Sequence, residues 1–205
     1  MSNKTIGILM PGDMGHGCGK IFLENNFRVV TCLNNRSNRT KKLSDDAGIE
    51  NVQTIENVVN FSDIILSILP PEAALKQSSI VNKIILEKKK YLTYVDCNAV
   101  SPKTAEKINT AISSEYCNFI DAGIIGFNPI IEKGQTRLYV SGPNTKPIKI
   151  LHNKGFIIKD LGKEIGRASG MKMIYASATK GTFALHAAVL TLSLIHISEP
   201  TRPLR

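Results

Sequence analysis

Cysteine and histidine are scarce in this chain, four of each among 205 residues, and tryptophan is absent. The cysteines stand at 18, 32, 97 and 117, with no C-x-x-C pair and no spacing that fits a zinc or disulfide framework. With so few imidazoles to complete a ligand set, no metal site is expected, and the thiols read as reduced structural groups. No unbroken apolar run reaches the roughly 20 residues of a membrane-crossing helix. The first four residues lead straight into a short strand, without the basic-then-apolar pattern of a leader. A cytoplasmic protein with no membrane partner is the expectation. The one basic run, Lys88-Lys89-Lys90, has no aromatic residues interleaved, which argues against a nucleic-acid surface and for a solvated helix end.

What is present is an ordinary globular balance, 42% apolar and 21% charged residues. The length suits one sizeable domain and part of a second. Short apolar runs bounded by turn residues recur at 5–10, 28–33, around Val52, and at 63–69, 91–95, 118–121, 136–141 and 155–158, and read as strands. Between them, 13–25, a stretch through Lys41-Lys42-Leu43, 55–60, 72–89 (one helix or two), 101–114 and 146–153 read as helices. Ser101 is placed as an N-cap with Pro102 at the first helical position. This alternation predicts βαβ units in a Rossmann-type, doubly wound, mostly parallel α/β sheet. Residues 168–192 read as one long helix, apolar nearly all round, which demands burial against something.

The turn after the first strand reads Met10-Pro11-Gly12-Asp13-Met14-Gly15. A dinucleotide site wants G-x-G-x-x-G there, with one glycine admitting the pyrophosphate and the last letting the helix pack against its strand. Gly12 and Gly15 fill the second and third positions, and Met10 replaces the first. Asp13 and Met14 open the helix whose N-terminus would face the phosphates. The second strand ends in Asn34-Asn35-Arg36-Ser37 with no carboxylate to bond a ribose 2′-hydroxyl. Asn35, Arg36 and Ser37 instead suit a 2′-phosphate, so NADP is favoured over NAD; the other reading of these residues is a polar surface turn. The net charge of +9 also suits an anionic dinucleotide. Leu69 and Pro70, closing the fourth strand, are expected beside the cofactor ribose.

Four ordered segments, IGILMPGDMGHGCG from Ile6, VDCNAVSPKT from Val95, FIDAGIIG from Phe119 and GRASGMKMIYASATKG from Gly166, resemble the β-hydroxyacid dehydrogenases. That group includes 3-hydroxyisobutyrate dehydrogenase and the cofactor domain of 6-phosphogluconate dehydrogenase. The resemblance implies a Rossmann domain over 1–162 and, over 163–191, the start of an all-helical C-terminal domain. It also implies a homodimer at full length, and hydride transfer between nicotinamide and a small-molecule substrate. Lys172 takes the place of the family's catalytic lysine, Asn98 lies in the segment beside the nicotinamide, and Gly123, Ile124, Ile125 and Gly126 form the substrate loop. Lys180 reads as structural. Two departures stand out. Ile125 replaces a substrate-binding serine, and Tyr175-Ala176 replaces an asparagine pair. They point to a less polar substrate, which opens ketone or imine reduction beside hydroxy-acid oxidation, and they also motivate the alternative of a non-catalytic NADP-binding module. Residues 192–202 resemble the in-frame translation of a transposase sequencing adapter. On that reading 192–205 is a non-native tail, His196 has no catalytic role, and the chain is an inactive fragment of a longer enzyme.

Overall fold

The computed structural model of the chain describes residues 4–131 and 133–198. Strands form where aliphatic and β-branched residues run together. β1 (Thr5–Leu9), β4 (Ile64–Ser67) and β5 (Leu92–Asp96) are buried at every position, as central strands covered on both faces must be. β2 (Arg28–Thr31) and the two-residue β3 (Glu50–Asn51) complete one wing. β6 (Cys117–Ile125), β7 (Arg137–Ser141) and β8 (Ile157–Asp160) complete the other. The order is β3-β2-β1-β4-β5-β6-β7-β8. Neighbours from β3 through β6 are parallel, β6 and β7 are antiparallel, and β7 and β8 are parallel again. Chain order reverses at β1 and β4, the crevice where sheets of this kind bind ligands.

Alternate side chains of each strand feed two cores. On one face Cys18 and Phe22 of α1 (Asp13–Glu24) meet Ile6, Ile8, Val95 and Ile120. On the other, α3 (Ile55–Phe61), α4 (Pro71–Lys88) and α5 (Pro102–Ile112) pack Val58, Val81 and Ile108 against Ile65 and Tyr94. α2 (Asn38–Ala47) lies beside α1. Ser101 caps α5 by accepting from the Thr104 amide at 3.2 Å, with Pro102 just inside, as the sequence suggested.

The last element, α6 (Arg167–Ser198), is fixed at its N-terminus by one buried carboxylate. Asp121 Oδ2 accepts from the amides of Gly166, Ala168 and Ser169 at 2.9–3.1 Å and from Ser141 Oγ at 3.0 Å, while Oδ1 accepts from Ser169 Oγ at 2.5 Å. Helix N-terminal amides lack intrahelical acceptors, and the dipole there favours an anion. Gly123, two residues along β6, lets the helix approach. A Cβ at 123 would stand 2.9 Å from the Ala168 carbonyl oxygen and 3.0 Å from Lys172 Cβ.

Several boundaries differ from expectation. β6 runs on to Ile125 instead of ending at 121, because β7 zips against it from Asp121↔Ser141 to Ile125↔Arg137. Most of the expected substrate loop is therefore strand. Met10 leaves β1, since its φ of 76° is left-handed. The third strand precedes Val52, β8 begins two residues late, 72–89 is one helix, and 146–153 tightens to a 3₁₀ helix over Lys146–Leu151. α6 continues through residues 192–198 of the segment expected to be a tail, while 199–205 lie outside the described residues. By length and composition α6 is apolar enough to cross a membrane, although no unbroken run signalled it. Lysines and threonines interrupt its apolar residues without lowering the average enough. The same composition suits a helix enclosed by protein.

Asp121→Ala should cost about 3–5 kcal/mol, because it strands buried donors of α6 and β7. Urea denaturation monitored by far-ultraviolet circular dichroism measures this; a loss below about 1 kcal/mol would mean the carboxylate does not anchor the helix.

Candidate functional site

The glycine turn is built around a strained residue. Met10 occupies the left-handed region that the missing first glycine would enter freely. The Gly12 amide donates back to the Met10 carbonyl at 2.9 Å, and α1 then begins without a side-chain cap. Gly15 is obligatory for packing, since a Cβ there would lie 2.8 Å from the Met10 carbonyl oxygen. A Cβ on Gly12 would meet nothing within 4 Å. It faces open space, and the two glycines therefore have different reasons to exist. Gly12, Asp13, Met14, Gly15, Leu69 and Pro70 line one cleft of about 210 Å³. The uncapped first turn of α1 points amides and a positive dipole end at that cleft, a fit for a phosphate.

The β2–α2 turn lies alongside. Asn35 has a φ of 60°, the Arg36 amide donates to the Leu33 carbonyl at 3.2 Å, and Ser37 caps α2 by accepting from the Thr40 amide. Arg36 Nε is buried without a hydrogen-bond partner. Arg39 of α2 reaches Asp13 at 3.5 Å and links the two helix starts, an exposed pair of little energetic weight. An orphaned guanidinium nitrogen and the start of α2 thus stand beside the open glycine turn.

The second half of the site gathers at the ends of β5 and β6. Lys172, in the second turn of α6, is half-buried, and its Nζ donates to the Cys97 carbonyl at 3.0 Å. Burial draws its pKa below the usual lysine value, partly offset by Cys97, Asp96 and Asp121. A cavity of about 480 Å³ opens beside it, walled by Ile124, Ile125, Gly126, Tyr175, Ala176 and Lys180. Lys180, read from sequence as structural, thus reaches the same space. Gly123 lies beneath α6 rather than on the cavity wall. Asn98 also differs from expectation. Its Nδ2 donates to Ser67 Oγ at 3.0 Å and to Asp96 Oδ1, and its Oδ1 accepts from the Leu69 amide at 2.5 Å. It is a buried strut that holds the Leu69 turn, not a free polar contact for a ligand.

Sequence reasoning missed Asp96, Asp121 and Ser67. The signal available was a carboxylate inside each of two apolar strands. It also missed Asn128, which donates from Nδ2 to the Asp13 carbonyl at 2.6 Å and ties the loop after β6 to the start of α1. A further opening of about 500 Å³, between Lys4, Tyr91 and Tyr116, lies at the opposite, N-terminal ends of the strands, away from the glycine turn and Lys172. Among the described residues no group of three His, Cys, Asp or Glu side chains could hold a metal ion.

A family model for the NAD binding domain of 6-phosphogluconate dehydrogenase matches residues 5–166. An uncharacterised 28.5 kDa protein from the 7S RNA 5′ region of Methanothermus fervidus is 32% identical over 172 residues, 84% of this chain. The chain spans 64% of the length of that relative. A conserved protein of unknown function, its structure described as similar to 3-hydroxyacid dehydrogenases, superposes with a TM-score of 0.76 at 28% identity, covering 92% of this chain and 69% of that one. A reductive aminase from Aspergillus terreus, solved with NADPH4, cyclohexanone and allyl amine, shares the fold at a TM-score of 0.77 and 21% identity, over 93% of this chain and 66% of that one.

The two glycines give a paired test. Gly12→Ala should leave the unfolding midpoint nearly unchanged yet weaken dinucleotide binding about tenfold or more, since a methyl group would project into the open cleft at the start of α1. Gly15→Ala should lower stability by about 1–3 kcal/mol through overpacking. Thermal melts with fluorescence titration of NADPH separate the two, and equal melting losses for both would contradict the assignment.

Proposed function

The chain belongs to the family of the NAD-binding domain of 6-phosphogluconate dehydrogenase, and from that premise we propose that it binds NADP in preference to NAD and serves an oxidoreductase. The reaction is hydride transfer between the nicotinamide and a small hydroxy acid, alcohol, ketone or imine, with Lys172 exchanging the substrate proton. The observation that carries this reading is the half-buried Lys172 Nζ at the wall of a cavity on the same sheet edge as the glycine turn.

A bound nicotinamide cofactor would supply or take up the hydride. The chain's own residues then have definite work. Gly12 and the amides of Asp13 and Met14 receive the pyrophosphate. Arg36, with Asn35 and Ser37 beside it, receives the 2′-phosphate, a role supported by its unpartnered Nε and by the lack of a carboxylate at the end of β2. Leu69 and Pro70 border the ribose. Lys172, its proton affinity lowered by burial, can release and recover a proton closer to neutrality than a solvated lysine. Ile124, Ile125 and Ala176 give the substrate apolar walls, which supports a ketone or imine at least as well as a hydroxy acid. The NADPH4 and cyclohexanone held by the Aspergillus terreus reductive aminase are consistent with that choice. The exposed apolar side chains Phe183, Leu185 and Leu190 on α6 support an assembled, dimeric state of the whole protein.

Lys172→Ala should preserve NADPH binding and lower turnover by the whole protein about 10²–10⁴-fold, the usual worth of a positioned acid–base group. Following NADPH oxidation against hydroxy acids, ketones and imines tests this; undiminished turnover removes Lys172 from the reaction. Arg36→Ala should weaken NADPH binding about tenfold and leave NADH binding unchanged. Equal losses for both cofactors would overturn the preference for NADP.

A further inference from the structure

Beneath the carbonyl that receives Lys172 lies a buried polar cluster with unused bonding capacity. Asp96 closes β5 and is fully buried. Its Oδ1 accepts from Asn98 Nδ2, while its Oδ2 has no partner. Tyr94, two residues earlier on the same strand face, is also fully buried, and its hydroxyl is likewise unpartnered. Asp121 stands opposite Asp96 in the register of β5 and β6. A carboxylate in such surroundings is unfavourable unless a cation offsets it. The cation that acts on it is the Lys172 ammonium, bound to the peptide carbonyl of the very next residue, Cys97.

We propose that Asp96 is a positioning residue, the buried counter-charge that holds Lys172 protonated between turnovers, and that Asn98 ties this charge to the cofactor turn at Leu69. One amide side chain spans the link. Asn98 donates to Asp96 on one side and accepts from the Leu69 amide on the other, with Ser67 Oγ as its third partner. Ionised Asp96 strengthens both the Asn98 bond and the positive charge on Lys172. Protonated Asp96 weakens both. The groups around Asp96 are Tyr94 of its own strand, Cys97 just beyond the strand's end, Ser67 of β4, Asp121 of β6 and Lys172 of α6. Burial pushes the Asp96 carboxyl up to about 7, against the pull of Asn98 and Lys172 and with the push of Asp121, while burial lowers the lysine, so the two ionisations approach each other. Strongly interacting groups of this kind titrate as a pair. The idea takes its importance from Lys172 as the proton-exchanging group, yet its test reads ionisation and not turnover, so either can fail without the other.

The test is Asp96→Asn, an isostere that can still accept from Asn98 but carries no charge. Reductive ¹³C-methylation of the lysines, with Lys172 assigned by its absence from Lys172→Ala, reports the lysine titration by NMR. Asp96→Asn should lower the Lys172 midpoint by about one pH unit, a tenfold larger neutral fraction below it. It should also remove the inflection near neutrality that the native chain is expected to show. Superimposable native and variant curves would overturn the proposal. Should the variant fail to fold, the native chain suffices. The ¹³C carboxyl signal of Asp96 and the methyl signal of Lys172 should each carry the other's inflection, and two independent single-site curves would overturn it equally.

Discussion

The architecture of the site depends on the buried Asp121 carboxylate. It accepts three backbone amides and two hydroxyls, and so binds the start of α6 to the middle of the sheet. Hydrogen bonds to an ionised group are stronger than neutral ones, and five sharing one carboxylate act as a single network rather than as a sum. The same strand presents Gly123 two residues on, where the absent side chain lets α6 settle against β6. Attraction at 121 and permissiveness at 123 fix the helix in both angle and depth. Lys172 is placed by these two contacts before it meets any ligand.

The site itself divides between two ends of the parallel sheet's carboxyl edge. At the β1–β4 switch the chain offers backbone amides, an open glycine and a guanidinium nitrogen without a partner. At the β5–β6 ends it offers a half-buried amine and apolar walls. Asn98 joins the two halves, because it contacts Leu69 on one side and the Asp96 carboxyl on the other. Asn128 does similar work further out, linking the loop after β6 to the first residue of α1. The two halves are thus mechanically connected.

Much of this was legible in the sequence. The alternation of short apolar runs and helical stretches predicts the sheet because burial on both faces needs continuous aliphatic strands, and β1, β4 and β5 have them. The glycine turn and Lys172 could be found by position and resemblance. The rest depends on contacts between residues far apart in sequence. The extension of β6 arises from pairing with β7, which no local pattern at 122–125 announces. Asn98 reads locally as a polar group free for a ligand, and only its partners at 67, 69 and 96 reveal a strut. The left-handed Met10 keeps the turn geometry of the absent glycine, so a motif search sees a departure where the backbone sees none.

The concentration of α6's anchoring in its first two turns has a mechanical consequence. Among the residues whose burial is described, those of α6 that are buried are Ala168 and Ser169, and the 32-residue helix projects from them. At a rise of about 1.5 Å per residue, a tilt of about 5° about that anchor moves the far end by about 4 Å. Lys172 lies only five residues from the start and moves by well under about 1 Å in the same tilt. The helix is a lever with Lys172 beside the fulcrum. Whatever packs on the distal arm can shift by the width of an atom while the Lys172 amine stays in register with the sheet.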